Sequence, residues 1–325
     1  MHASVSCLKK LGLICLCTLT ALVAVAQDKF PNKLVRLIVG FPAGSATDVA
    51  TRIVANQLSQ DLGQPFLVEN KPGASSEIAA KTVATSAADG YTLFVLTIAN
   101  VINASAGKSD VVSIEKNFTA VSSIGSVPIV LVANPDSKIG SVKELSAAAK
   151  MKPKEISYAS SGNGTAPHLS GELFAKMANV DILHVPYKGS SQAMSDLLSG
   201  QVNIMFAPAS TVLPHMKAGK LVGIGVASSK RIALAPDLPT LDESGLRDFE
   251  SSVWFGVVAP IGTPTNIVEV LSTAISKALA NPTIREEFSK QGVVPQEGNS
   301  RIFDRFLQSE LKKWSSVIKE ANVKL

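Results

Sequence analysis

The chain has 325 residues, 46% hydrophobic and 5% aromatic, with a formal net charge of +5. That length suits one large or two medium domains, and its basic residues are scattered rather than interleaved with aromatics, which argues against a nucleic-acid partner. Cys7, Cys15 and Cys17 all precede Ala26, and His2, His168, His184 and His215 show no HExxH spacing. Downstream of the first stretch this leaves no disulfide or thiolate site, and it argues against zinc hydrolysis.

The chain opens as an exported protein does. Lys9 and Lys10 precede an uncharged apolar run over residues 11–23, and Ala24-Val-Ala26 has the small-x-small form of a cleavage site. The run is shorter than the ~20 residues a membrane span needs. A signal peptide over residues 1–26, cut after Ala26 and leaving an exported chain from Gln27, is therefore expected.

Residues 34–39 are a β-branched run and predict a buried strand. Phe41-Pro-Ala-Gly-Ser-Ala-Thr-Asp48 follows as a loop, and Val49, Ile53, Val54, Leu58 and Leu62 then recur at helical spacing up to Gly63. Thr47 or Asp48 is the expected N-cap. Strands are expected near 65–68, 91–96, 129–132 and 155–158, with helices at 77–87 and 142–150, the latter capped by Ser141. Ser160-Ser-Gly-Asn-Gly-Thr165 is a second glycine loop, followed by Leu169, Leu173, Phe174 and Met177 at helical spacing. Thr165 suits an N-cap and Pro167 the first turn. Beyond it, strands are expected near 182–185, 202–206, 222–226 and 254–258, and helices near 190–198, 265–279, 282–291 and 300–321.

Strands alternating with helices predict an α/β fold with sheets covered on both faces. The two strand–glycine loop–helix units lie far apart in the chain. Each presents a helix N-terminus, whose free N–H groups and dipole favour an anion. Two sheets, each offering one loop, would place a ligand in a cleft between two lobes. The apolar strands near 126–132 and 252–258 are the natural crossings. Lobe 1 is then residues 27–127 with 253–325, and lobe 2 residues 128–252.

Taken in order, several short motifs resemble one family. They are Phe30-Pro31, Leu37-Ile-Val-Gly-Phe-Pro42 with Thr47-Asp48, Leu62-Gly-Gln-Pro65, Val68-Glu-Asn-Lys-Pro-Gly73 and Asp89-Gly-Tyr-Thr92. Then come Tyr158-Ala-Ser-Ser-Gly-Asn-Gly-Thr165 with His168, His184-Val-Pro-Tyr-Lys-Gly189, Lys217-Ala-Gly-Lys220, Pro239-Thr240, Ser244-Gly245 and Trp254-Phe-Gly256. Together they resemble the Bug family, the periplasmic solute-binding receptors of tripartite tricarboxylate transporters. The resemblance implies a two-lobed, type II-like periplasmic binding fold, with two mixed sheets flanked by helices. It implies a monomer without a cofactor, a small carboxylate ligand and permease subunits as membrane partners.

The resemblance also implies that the two loops hold the carboxylate. The candidate ligand residues are Phe41, Gly44, Ser45, Ala46, Thr47 and Asp48 in the first, and Ser160, Ser161, Asn163, Gly164, Thr165 and His168 in the second. Phe41 fits either the core or a ligand face, and His168 either loop support or ligand contact. His184 reads as a core residue. Where the family has Asp-Asn, this chain has Ala207-Pro208, and its Gly-Ala-Gly-Gly-Asn becomes Gly73-Ala-Ser-Ser-Glu77. Ala207 thus enters the candidate site as a lost carboxylate, which argues against an amine on the ligand and keeps aromatic acids beside di- and tricarboxylates. Residues 98–101 also depart from the family and should meet the far end of the ligand. Two other functions stand beside this one. One is a sensor for a membrane signalling partner, which needs the same cleft. The other is a serine hydrolase built on the Ser160 loop and His168, which lacks a GxSxG elbow and an acidic orienter.

Overall fold

A computed structural model of the chain describes residues 30–107, 113–296 and 298–320. The expected leader, 1–26, and its cleavage point lie outside the described residues. Among those residues no helix is long and apolar enough to cross a membrane.

The chain runs β1 (Val35–Val39), α1 (Ala46–Leu62), β2 (Phe66–Asn70), α2 (Glu77–Ala84), β3 (Thr92–Thr97), α3 (Ile98–Ser105) and α4 (Ile114–Asn117). It continues through β4 (Phe118–Ala133), α5 (Val142–Met151), β5 (Ser157–Ser160), α6 (Ala166–Ala178), β6 (Leu183–Pro186), α7 (Ser190–Leu198), β7 (Ile204–Pro208), α8 (Ala209–Lys217) and β8 (Val222–Val226). It ends with β9 (Ser252–Pro260), α9 (Thr265–Ala280), α10 (Pro282–Lys290), β10 (Val294–Pro295) and α11 (Ser300–Glu320). All these elements belong to one compact unit, Lys33–Leu325.

Hydrogen bonding follows the order β2-β1-β3-β9-β4-β7-β5-β6, with β8 and β10 also paired to β4. Two similar halves meet in β4. In the first, β1 lies between β2 and β3, all parallel, and β3 meets β9 antiparallel. In the second, β5 lies between β6 and β7, all parallel, and β7 meets β4 antiparallel. β1 and β5 are each flanked on both sides by parallel neighbours. This explains their buried runs: Leu37, Ile38 and Val39 in one, Tyr158, Ala159 and Ser160 in the other.

β4 joins the halves. Its residues Phe118 to Pro128 pair with β9, and Ile129 to Ala133 pair with β7. Only 126–132 at most read as strand in the sequence, because Ser122, Ser123 and Gly125 break the apolar pattern before it. Tertiary bonds satisfy both of those serines: Ser122 Oγ donates to the carbonyl of Gly298 (2.9 Å) and Ser123 Oγ to that of Gln296 (2.8 Å). The register shifts twice here, between Ala120 and Ser122 and between Ser123 and Gly125, as expected of bulges that bend a strand. α3 and α8 were not expected. Each starts directly from the end of a strand without a glycine, and α8 carries Pro214 inside it.

The C-terminal α11 packs on β9. Trp254 meets Phe306 edge-on with ring centroids 5.0 Å apart. Phe303 lies over Gly256, where a Cβ would fall 2.3 Å from its Cζ. The indole N–H groups of Trp254 (2.7 Å) and Trp314 (3.0 Å) both donate to Glu310 Oε2, and Lys313 Nζ pairs with Oε1. Glu310 is buried, so these donors satisfy a carboxylate that would otherwise be costly to bury. Glu310→Ala leaves two buried indole N–H groups without an acceptor. It should cost about 2–3 kcal/mol, read as a lower urea midpoint, with Glu310→Gln costing less because its carbonyl can still accept.

Candidate functional site

α1 and α6 start the same way. Ser45 holds the N-cap position of α1 with φ −66° and ψ 155°, and its Oγ accepts the Asp48 N–H (3.3 Å). The cap is thus Ser45 rather than Thr47 or Asp48, because Ser45 is the last residue with extended backbone. Asp48 sits one turn in and reaches back, accepting the Gly44 N–H at 2.9 Å. The result is a reciprocal arrangement like a capping box. Thr165 holds the cap position of α6 with φ −80° and ψ 158°, but its Oγ1 donates to the Gly162 carbonyl (2.7 Å) instead of accepting from the helix. His168 then does what Asp48 does, its Nδ1 accepting the Gly164 N–H at 3.0 Å. Gly44 and Gly164 have φ of 81° and 73°, a left-handed turn that favours glycine at both places.

These turns leave backbone donors open. Among the described residues, the N–H groups of Ala46, Thr47 and Ala166 have no protein acceptor. All three residues line a cavity of about 560 Å³. Phe41, Ser45, Ala46 and Thr47 line it from the first loop, and Ser161, Asn163, Gly164 and Thr165 from the second. Ala74, Ser75 and Glu77 add a third wall, Ile98, Ala99 and Asn103 a fourth, and Ser190, Pro208 and Val253 complete it. Ser190 and Val253 carried no local signal, since one starts a helix and the other lies within a strand, and Pro208 was marked only together with Ala207.

The remaining sequence-derived candidates do not line the cavity. Gly44 and Asp48 shape the first turn. Ala207 is buried and faces Val130 across the β4–β7 ladder, while its neighbour Pro208 reaches the cavity. The lost carboxylate at Ala207 therefore does not set the charge in the cavity. Ser160 and His168 are both buried. Ser160 Oγ is 2.7 Å from His184 Nε2, not from His168, whose Nδ1 accepts the Gly164 N–H.

His184 turns out to be part of the scaffold. Its ring stacks on His168 with centroids 3.9 Å apart and planes 10° apart, and on Tyr158 at 4.8 Å. Tyr158 OH donates to Glu172 Oε1 at 2.5 Å. One histidine thus fixes Gly164 and the other fixes Ser160, pinning both ends of the second loop. Burial pushes the pKa of His168 down to about 3, helped by the neighbouring His184, and that of His184 down to about 4. For Asp48, burial works against ionisation. The bonds from Arg52, Asn70 and Gly44 outweigh it and hold the carboxyl below its usual value. Among the described residues lining the cavity, Glu77 is the one charged side chain. No group of three or more His, Cys, Asp or Glu among the described residues could hold a metal.

This arrangement can hold an ionised carboxylate without a fixed cation. A carboxylate only accepts hydrogen bonds, and two helix starts offer only donors. Similarity to known proteins agrees with that chemistry. A profile described as "Tripartite tricarboxylate transporter family receptor" matches residues 50–323. The protein BugT of Bordetella pertussis is 36% identical over 303 residues, covering 93% of each chain. An R. palustris protein solved with adipate superposes with TM-score 0.75 at 33% identity, over 90% of this chain and 99% of that one. MatC from Rhodopseudomonas palustris, solved with bound malate, gives 0.73 at 29% identity, over 89% and 100%. The periplasmic binding protein BugD gives 0.73 at 32%, over 91% and 99%. The fold is that of the periplasmic binding proteins. This chain belongs to the tripartite tricarboxylate transporter receptor family.

The histidine stack predicts a pH dependence. Both imidazoles have folded values below the ordinary 6.5, so on acidification the unfolded chain takes up protons first. Their contribution is complete above about pH 6.5 and falls progressively toward about pH 3–4. Asp48 contributes nothing to that slope until the pH nears 3.8. Glu172, raised by burial, opposes it just above pH 4.5. Urea midpoints should therefore drop between pH 7 and pH 5, and His184→Gln should flatten that drop while lowering stability at pH 7. An equal slope in the variant would show that the stack does not titrate as described.

Proposed function

We propose that the protein is a periplasmic receptor that captures a small organic carboxylate and delivers it to the permease of a tripartite tricarboxylate transporter. One observation carries the reading. The helix starts of α1 and α6 bring unpaired N–H groups to a single cavity that no lysine or arginine lines among the described residues. The ligand carboxylate takes its bonds from Ala46, Thr47 and Ala166, and from the side chains of Ser161 and Asn163. Asp48, Ser160 and His168 act from behind, holding the loops in shape. The lobes are residues 27–127 with 253–325, and residues 128–252, with β4 and β9 as the crossings. Adipate and malate in two relatives support a carboxylate as cargo. The protein works as a monomer without a cofactor, after loss of residues 1–26.

Backbone donors are tested by proline. Ala46 is the first helical residue, where proline fits, and Ser45 already has the extended backbone that proline requires before it. Ala46→Pro therefore removes one N–H with little cost to the helix. The mature chain, denatured and refolded to strip bound ligand, should show a raised melting temperature with at least one class of carboxylate. Ligand at about a hundred times its Kd adds roughly 2.7 kcal/mol. For that ligand Ala46→Pro should weaken binding about 10- to 100-fold, the worth of one hydrogen bond to a charged group. Unchanged affinity in the variant, or no carboxylate that binds the refolded chain, would overturn the reading.

A further inference from the structure

We infer that Arg52, which does not line the cavity, is a positioning residue for carboxylate capture: its guanidinium neutralises the buried Asp48 carboxylate behind the first loop, so that the loop can accept a second anion. The inference rests on the carboxylate reading above and adds a residue to it.

The two loops differ in what supports them. The second is held by His168, a neutral acceptor of the Gly164 N–H. The first is held by Asp48, which accepts the Gly44 N–H and is 2% exposed. Burial works against its ionisation, but the bonds from Arg52, Asn70 and Gly44 keep the carboxyl below its usual value, so it is charged at neutral pH. The open N–H groups of Ala46 and Thr47 lie in the same first turn of α1. A bare carboxylate so placed would repel a ligand carboxylate held by those donors, most strongly where water is excluded.

Arg52 follows one turn later on α1. Its Nε lies 3.1 Å from both Asp48 carboxylate oxygens, and its Nη2 lies 3.0 Å from Oδ1. Nη2 also donates to Asn70 Oδ1 at 2.9 Å. Asn70 Nδ2 in turn donates to Asp48 Oδ1 (2.8 Å) and to the Phe41 carbonyl (3.0 Å). One cation thus meets the charge at the end of the loop and, through Asn70, the residue at its start. Among the described residues Arg52 is the one cation within ion-pair distance of Asp48. Arg36 and Lys71, on neighbouring strand ends, pair with Glu69 instead. The ligand carboxylate therefore meets open donors in front and a neutral ion pair behind them.

Variants that separate charge from shape test this. Arg52→Lys keeps a positive charge within reach of Asp48 at i, i+4 but loses the planar fork. Arg52→Gln and Arg52→Met lose the charge, and both residues suit a partly exposed helix position. Refolded parent and variants are titrated calorimetrically with malate, adipate, hexanoate and benzoate, and urea transitions check that each variant folds. For the acid that the parent binds most tightly, a folded neutral variant should bind about tenfold or more weakly, and Arg52→Lys should recover about threefold or more of that loss. Equal losses in the lysine and neutral variants would reduce Arg52 to a structural contact and overturn the inference. So would a neutral variant that binds as the parent does. Either result leaves the carboxylate site standing, whereas failure of all four acids to bind the parent would remove both readings.

Discussion

The structure depends on keeping backbone donors open at the starts of two helices. A helix start normally satisfies its N–H groups with a side-chain cap or with water. Here α1 and α6 begin at the carboxyl ends of the central strands of two parallel trios, where strand order reverses and α/β sheets place their ligands. Each turn must stay fixed without closing over its own donors. Gly44 and Gly164 bend the chain, and a side chain four residues on accepts each glycine's N–H, Asp48 in one case and His168 in the other. That bond removes the glycine from the list of open donors and leaves the next positions facing the cavity.

The supports behind the two turns differ in chemistry and therefore in their response to acid. Asp48 is ionised and tied to Arg52 and Asn70, so it acts as a charge-assisted brace. His168 is a neutral acceptor under a second neutral ring, and its hold requires that Nδ1 carry no proton. Burial keeps it unprotonated well below neutral pH. Among the described residues no lysine or arginine lines the cavity itself. A carboxylate there is met by geometry and dipoles rather than by a fixed positive charge.

β4 gives the halves their relation. One strand of sixteen residues serves two sheets, pairing with β9 over its first part and with β7 and β8 over its second. Val253 pairs with Val127, next to the point where β4 passes from β9 to β7, so the cavity lies beside that junction. The C-terminal helix then braces β9 through Glu310 and two tryptophans.

Much of this was legible from residue spacing. The two strand–glycine loop–helix units, the stop at Gly63, the Ser141 cap and the β8 strand follow from local rules of φ, capping and periodicity, which act within a few residues. The equal spacing of Gly44 to Asp48 and Gly164 to His168 was also there to be read, as a sign that both side chains serve the loop. Other features had no local cause. β4 is polar along its first part because its serines bond to carbonyls more than 170 residues away. His184 became a loop support only because β6 sets it beside Tyr158 and over His168. Ala207 and Pro208 differ by one position, and the pleat of β7 alone decides that the second reaches the cavity. The sequence by itself determined the turns and the donors they expose, since those are set by backbone geometry over a single loop. Tertiary structure decided which walls meet them, since that depends on strand order and on packing between distant segments.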